Sequence, residues 1–507
     1  MSVIRISRVH VARRRPVVCA AALVAIVAVV QLHSAQPTGA FGVVLAGGRV
    51  MDPASGLDAV RHVGLRGGEI AAISATPLTG TTTIDVSGLV VAPGFIDPHA
   101  HAQTLEGNRF QARDGVTTAL ELESGALPMN DWYRSREGQA LLNYGATVGH
   151  IASRIAVMHA KERWSEISAT RQDTSIARPD WTHRKATPAE IDAMVGHLER
   201  GLAAGALGVG MGPMYTPGAS RDELLRVFEL AARRRALAFI HIRSAGEIEP
   251  GGSLDALQEV LANVAATGAS VHIVHITSMG LGQTRRLLGM IDGARARGLD
   301  VTTELYPYTA ASTYLQSALF EPGWQERFGI SFKDVQWAAT GERLTEETFA
   351  RYRARGGFVV IHMIPEDALH AALTHPDVMI GSDGVPLTNG GGHPRGVGTY
   401  ARVLGRYVRE EKLLDLMTAL RKISLMPARR LEPFVPAMRR KGRLATGMDA
   451  DLTIFDPARV IDRATYENPA QFSEGIRHVI VNGTFVVRDE QLVPDTAPGR
   501  AIRTTEP

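Results

Sequence analysis

The sequence predicts an α/β protein: a closed (β/α)8 barrel carrying a small β-sandwich built from N- and C-terminal segments. Short apolar strands alternate with amphipathic helical stretches through the middle of the 507 residues, the pattern of a parallel sheet, and about eight such units close a barrel. Glycine-punctuated strand text lies on both sides of that region. No Gly-rich phosphate turn follows a first strand, which argues against an open doubly wound sheet.

Taken in order, the chain begins with Arg13, Arg14 and Arg15 ahead of an apolar run from Val17 to Val30 and a polar exit. Residues 1–35 thus have the layout of a secretory signal with cleavage near Ala35, or of an uncleaved membrane anchor. The expected location is periplasmic or secreted, with membrane contact only if the segment is retained. The sole cysteine, Cys19, lies inside it, so a chain starting after Ala35 has neither thiol nor disulfide. Residues 1–35 also hold five arginines and no acid; without them the formal charge moves from +3 to −2, and no basic stripe is left to bind nucleic acid.

Residues 41–92 read as short strands and turns ("VVLAGGRVMD", "HVGLRGGEIAAIS", "TTTIDVSGLVVAPG"), with a counterpart at 440–493 in "ADLTIFDP", "IRHVIVNG" and "TFVVRDE". These two pieces pair into the satellite domain, leaving 93–439 for the barrel. Its strands are the one leading into "GFIDPHAHAQ", then "GVTTALELE", "GATVGHIA", "GALGVGMG", "LAFIHIR", "SVHIVHI", "VTTELYPY" and "DVMIGSD", with helices such as "RDELLRVFELAARRRA" in the gaps. One further strand, "FVVIHMI", is surplus. It belongs to an insertion at about 315–364, where the text before it is long, charged and poorly periodic.

Side chains two apart on a strand project to one face, so His99 and His101 can converge on a single ion. Polar residues at the C-terminal ends of barrel strands meet at one rim. Collected there are His99, His101, Glu121, Glu123, His150, His241, His275 and Asp383. Imidazole and carboxylate donors suit Zn²⁺ or its first-row neighbours, so one or two divalent metal ions are expected.

These strand ends, together with "APGFIDPHAH", "DGVTTALELESG", "ELYPYTAASTYL", "GGHPRGVGTYARVLG" and "GRLATGMDADLTIFDP", resemble the amidohydrolase superfamily and within it the N-acyl-D-amino-acid deacylases (D-aminoacylases). The likeness runs in order from Phe41 to about Val493. It implies hydrolysis of the linear amide bond of small N-acyl-D-amino acids to a D-amino acid and a carboxylate. The implied metal ligands are His99, His101, a residue of "ELESG", His241, His275 and Asp383. Asp383 is implied as the catalytic acid/base, Arg395 as the grip on the substrate carboxylate, Tyr306 and Ser312 as its further hydrogen-bonding partners, and Tyr215 as a wall of the pocket.

Two departures from the family pattern stand out. The metal-binding cysteine expected after "GVTT" falls, ungapped, on Ser124, and a hydroxyl is a poor bridging ligand. Glu123 is expected to take that role, with Glu121 one layer deeper and His150 as outer partners that orient the ligands. The lysine expected two residues after His275 is Thr277, so either the substrate lacks the group that lysine contacts or Arg243 substitutes. Other readings keep the barrel and metal but take cyclic amides or dipeptides, or keep the fold without catalysis.

Overall fold

The computed structural model describes residues 41–159 and 179–504. The expected export segment, 1–35 with Cys19, lies outside the described residues. Among those described, no helix is long and apolar enough to cross a membrane.

Five strands come first: β1 (Phe41–Asp52), β2 (Leu57–Arg66), β3 (Glu69–Ser74), β4 (Gly80–Asp85) and β5 (Val90–Pro93). Seven barrel strands follow: β6 (Phe95–Asp97), β7 (Val116–Ala126), β8 (Asn143–Gly149), β9 (Val209–Met211), β10 (Leu237–Ile240), β11 (Ser270–Ile273) and β12 (Val301–Leu305). Then come β13 (Ala310–Tyr314), β14 (Val335–Trp337) and β15 (Phe358–His362), before the eighth barrel strand, β16 (Val378–Ile380). The C-terminal strands are β17 (Leu452–Phe455), β18 (Ile476–Val481), β19 (Thr484–Arg488) and β20 (Gln491–Leu492).

The eight parallel strands lie in the order β6-β7-β8-β9-β10-β11-β12-β16, and helices fill the gaps as their 3.6-residue periodicity predicts. β6 and β16 are joined beyond their ends. Ala100 bridges Gly384 in parallel register, and the amides of His101 and Ala102 both donate to the Gly384 carbonyl at 2.8 Å. Buried Asp97 accepts from the Ser382 amide (3.0 Å) and hydroxyl (2.5 Å).

The surplus strand is β15. It pairs antiparallel with β13 and β14 in a separate three-stranded sheet, so "FVVIHMI" is insertion rather than barrel. That sheet begins at Ala310, five residues ahead of the expected start, because β13 leaves the barrel immediately after the turn that follows β12.

The terminal segments meet where β5 pairs with β17, Val90 opposite Phe455 and Pro93 opposite Leu452. The expected sandwich takes the form of one nine-stranded hydrogen-bonded sheet that branches at β1, which pairs with β2, β4 and β5. Leu45, Val50, Val63, Ile70, Leu452, Ile454 and Ile480 form its own apolar core.

Candidate metal centre

β7 explains how two glutamates reach the rim. Glu121 pairs with Ala146 and Ala126 with Val148, so the longer β7 segment bulges away from its partner. The Thr147 hydroxyl fastens the bulge by donating to the Leu122 carbonyl at 2.9 Å. Gly125 turns it at φ +67°, and a Cβ there would lie 2.7 Å from the Gly149 nitrogen. Two other site residues also hold left-handed backbone just past a strand: His275 at φ 33° after β11 and Asp383 at φ 49° after β16. Non-glycine residues are held in this region at a cost of order 1–3 kcal/mol, and such residues cluster at functional sites.

The side chains converge as two groups sharing one carboxylate. In the first, His99 Nε2 and His101 Nε2 lie 3.1 Å apart. Glu123 Oε2 is 3.3 and 2.9 Å from them, and Asp383 Oδ1 is 3.5 and 3.4 Å from them. In the second, His241 Nδ1 and His275 Nε2 are 3.1 Å apart, with Glu123 Oε1 at 2.7 and 3.3 Å. A tetrahedral ion with ligands at its usual bond lengths spaces its donors by roughly 3.3 Å. One carboxylate thus presents an oxygen to each of two metal-sized clusters, one of four donors and one of three.

Each imidazole is anchored on its far side. His99 Nδ1 faces Glu304 Oε1 at 2.5 Å and His101 Nδ1 faces Glu121 Oε2 at 2.8 Å. His275 Nδ1 faces the Ser278 hydroxyl at 3.1 Å, and His241 Nε2 faces the Met214 sulfur at 3.2 Å. Neutral rings donating outward point four lone pairs inward, an arrangement that is costly unless a cation receives them. With protons alone to offset the carboxylates, burial lowers the His99 pKa but Asp383 and Glu304 outweigh it and push it up to about 10. Burial likewise works against ionisation of Glu123, yet its hydrogen bonds to His101, His241, His275 and His99 hold it well below the ordinary range. The donor chemistry, spacing and outward anchoring all fit a pair of divalent ions.

Asp383 Oδ2 lies 2.9 Å from Arg395 Nη1. Burial raises the Asp383 pKa, but Arg395 and His99 more than offset this and keep it ionised far below the usual range. Arg395, 1% exposed, stacks 4.5 Å over the Tyr306 ring and donates from Nη2 to the Ser312 carbonyl at 3.1 Å. Among the described residues its Nε and the Ser312 hydroxyl have no hydrogen-bond partner. Arg395, Tyr306, Ser312 and Tyr215 all line one cavity of about 1120 Å³ with His101, Glu123, His241, His275 and Asp383. Tyr215 closes one side, its ring 4.9 Å from His241 and its hydroxyl 3.0 Å from Thr313 of β13.

Two sequence expectations are corrected. Arg243 does not line the cavity: Glu259 binds its Nε and Nη2 at 2.8 and 2.9 Å, and Nη1 donates to the Ala219 carbonyl. His150 orients no ligand. It opens the helix after β8, and its Nε2 faces Glu223 at 2.8 Å, in a buried cluster with Arg154. Thr277 is buried and away from the cavity. Ser124 lines the cavity but joins neither donor group; its amide donates to Glu121.

Glu304 is the residue that pattern reading passes over. Its signal is a lone acid in the apolar run "VTTELYPY". Buried between His99 and His272, it is held down to about 2, burial opposing and the two imidazoles prevailing. Glu304→Gln is expected to weaken metal binding roughly 10- to 100-fold, the usual effect of losing a partner that orients a ligand. Chelator competition measures this, and unchanged affinity would show that His99 is held by something else.

An amidohydrolase family profile matches residues 82–487. An N-acyl-D-glutamate deacylase of Alcaligenes xylosoxydans xylosoxydans is 33% identical, over 91% of this chain and 96% of that protein. The crystal structure of N-acyl-D-glutamate deacylase from Bordetella bronchiseptica, complexed with zinc and a phosphonate mimic of the tetrahedral intermediate, superposes with TM-score 0.76 at 30% identity, covering 92% of this chain and 100% of that one. A D-aminoacylase structure described by its binuclear metal centre gives TM-score 0.77 at 27% identity, over 91% and 100%. With its barrel, its paired donor groups and these relatives, the chain belongs to the amidohydrolase family, in the branch that holds the N-acyl-D-amino-acid deacylases.

Proposed function

We propose that the protein is a hydrolase that cleaves the amide bond of N-acyl-D-amino acids, releasing a D-amino acid and a carboxylate, with zinc as the metal. The observation that carries this reading is the placing of two donor groups that share Glu123 beside one cavity with the buried Arg395 guanidinium, which is paired with Asp383 and has an unpartnered Nε. When bound, a divalent ion supplies Lewis acidity, activating water and polarising the scissile carbonyl.

The chain's own groups do the rest. Arg395, fixed by Asp383, the Ser312 carbonyl and the Tyr306 ring, turns its unpartnered Nε and its positive charge to the substrate carboxylate. The Ser312 hydroxyl adds a donor beside it. Asp383, kept ionised by Arg395, accepts the proton of the attacking water and delivers it to the leaving nitrogen. Tyr215 restricts access of bulk water from the β9 side.

Purified protein is expected to hydrolyse N-acetyl-D-amino acids and to lose that activity when dialysed against a chelator, regaining it with Zn²⁺. A panel of N-acyl amino acids in both configurations, with cyclic amides and dipeptides alongside, checks this. Turnover confined to L-substrates, cyclic amides or dipeptides would overturn the reading.

A further inference from the structure

Two arginines reach the cavity from the segment between β7 and β8, and neither the metal centre nor the carboxylate grip uses them; Arg134 is paired with Asp131, whereas Arg136 pairs with no carboxylate among the described residues. Arg136 follows the short helix Met129–Arg134 and lines the cavity with Trp132, Gln139 and Tyr144. That helix is tied to the C-terminal tail by Tyr133, whose hydroxyl donates to the Ile502 carbonyl at 2.8 Å. The Arg136 guanidinium lies 4.0 Å from the centroid of the Trp132 ring. Its Nη1 donates to the Trp132 carbonyl and the Ser135 hydroxyl, both at 3.0 Å.

Among the described residues no carboxylate pairs with Arg136. Asp131, on the same loop, is taken by Arg134 at 3.2 Å. Glu121 is near enough to offset its charge, but both Glu121 oxygens are engaged, one by His101 and the other by the Ser124 amide. Burial draws the Arg136 pKa down to about 10, which marks it as a cation short of compensation. A guanidinium held over an indole, with Nε and Nη2 given no protein acceptor among the described residues, is pre-ordered for a planar, bidentate anion.

We propose that Arg136 binds a second carboxylate of the substrate, so that the preferred substrates are dicarboxylates, with the α-carboxylate on Arg395 and the other acid on Arg136. This rests on the deacylase reading above. The second acid comes either from an acidic side chain or from a dicarboxylic acyl group. The two cations reach the cavity from different barrel strands, Arg395 after β16 and Arg136 after β7, so neither substitutes for the other.

Two matched pairs test this: N-acetyl-D-glutamate against N-acetyl-D-glutamine, and N-succinyl-D-alanine against N-butyryl-D-alanine. The enzyme is expected to favour the dicarboxylate of one pair by about 10- to 100-fold in kcat/KM, the range for a charge-assisted hydrogen bond, chiefly through KM. Which pair responds identifies the source of the second acid. Arg136→Gln is expected to collapse that ratio toward one, Arg136→Lys to restore part of it, and Arg134→Gln to leave it unchanged. A ratio near one in the wild type, a ratio that survives Arg136→Gln, or one that falls with Arg134→Gln would overturn the proposal while leaving the deacylase reading intact. Hydrolysis of none of the four would overturn both.

Discussion

Glu123→Gln is expected to abolish activity by about 10³-fold or more and to take metal with it. Glu123 gives one oxygen to each donor group, so the amide removes the single negative charge that both clusters share. It preserves volume, so packing around β7 should hold and the loss should show as metal content and rate falling together. Added Zn²⁺ is expected to recover only part of the rate, because the remaining donors of the second group are both neutral imidazoles. Glu121→Gln, which removes only an outward anchor of His101, is expected to cost roughly 10- to 100-fold. Metal analysis beside kcat/KM checks the pair. If Glu123→Gln keeps metal and rate while Glu121→Gln loses both, the bridging ligand is Glu121.

Asp383→Asn is expected to lower kcat by at least about 10²-fold, the usual scale for a positioned acid/base, while the fold persists. The variant keeps an oxygen toward His99 and His101 and so retains most of its metal. It can no longer accept the proton that the leaving nitrogen needs. It also leaves the buried Arg395 guanidinium without its anionic partner, so a lower melting temperature should accompany the loss of rate. Steady-state kinetics with a thermal melt tests both, and near-wild-type kcat would assign the proton transfer to another residue.

The barrel and the convergence of its candidate donors were legible because both rest on local rules. Period-two alternation puts His99 with His101 and Glu121 with Glu123 on one face, and the strand-end rule gathers His241, His275 and Asp383 at the same rim. What escaped depends on contacts between distant segments. Arg243 sits at a strand end like a ligand, yet Glu259, on the helix Ser253–Thr267, captures it. His150 stands one residue past β8, where the start of a helix turns it toward Glu223. Glu304 is one acid in an apolar run until folding sets it between His99 and His272. Arg136 reads as one charge in a mixed loop, and what distinguishes it is that no carboxylate among the described residues pairs with it.

The seam between the first and last barrel strands has a thermodynamic consequence. Asp97 and Ser382, whose contact closes the cylinder, are 285 residues apart in sequence, and the flanking His99, His101 and Asp383 are donors to one cluster. An ion seated there acts as a clasp on a very long loop, and its binding energy offsets the entropy of bringing the ends together. The stability of the cylinder is therefore expected to rise with free metal concentration by linkage, which thermal melts across a Zn²⁺ titration measure.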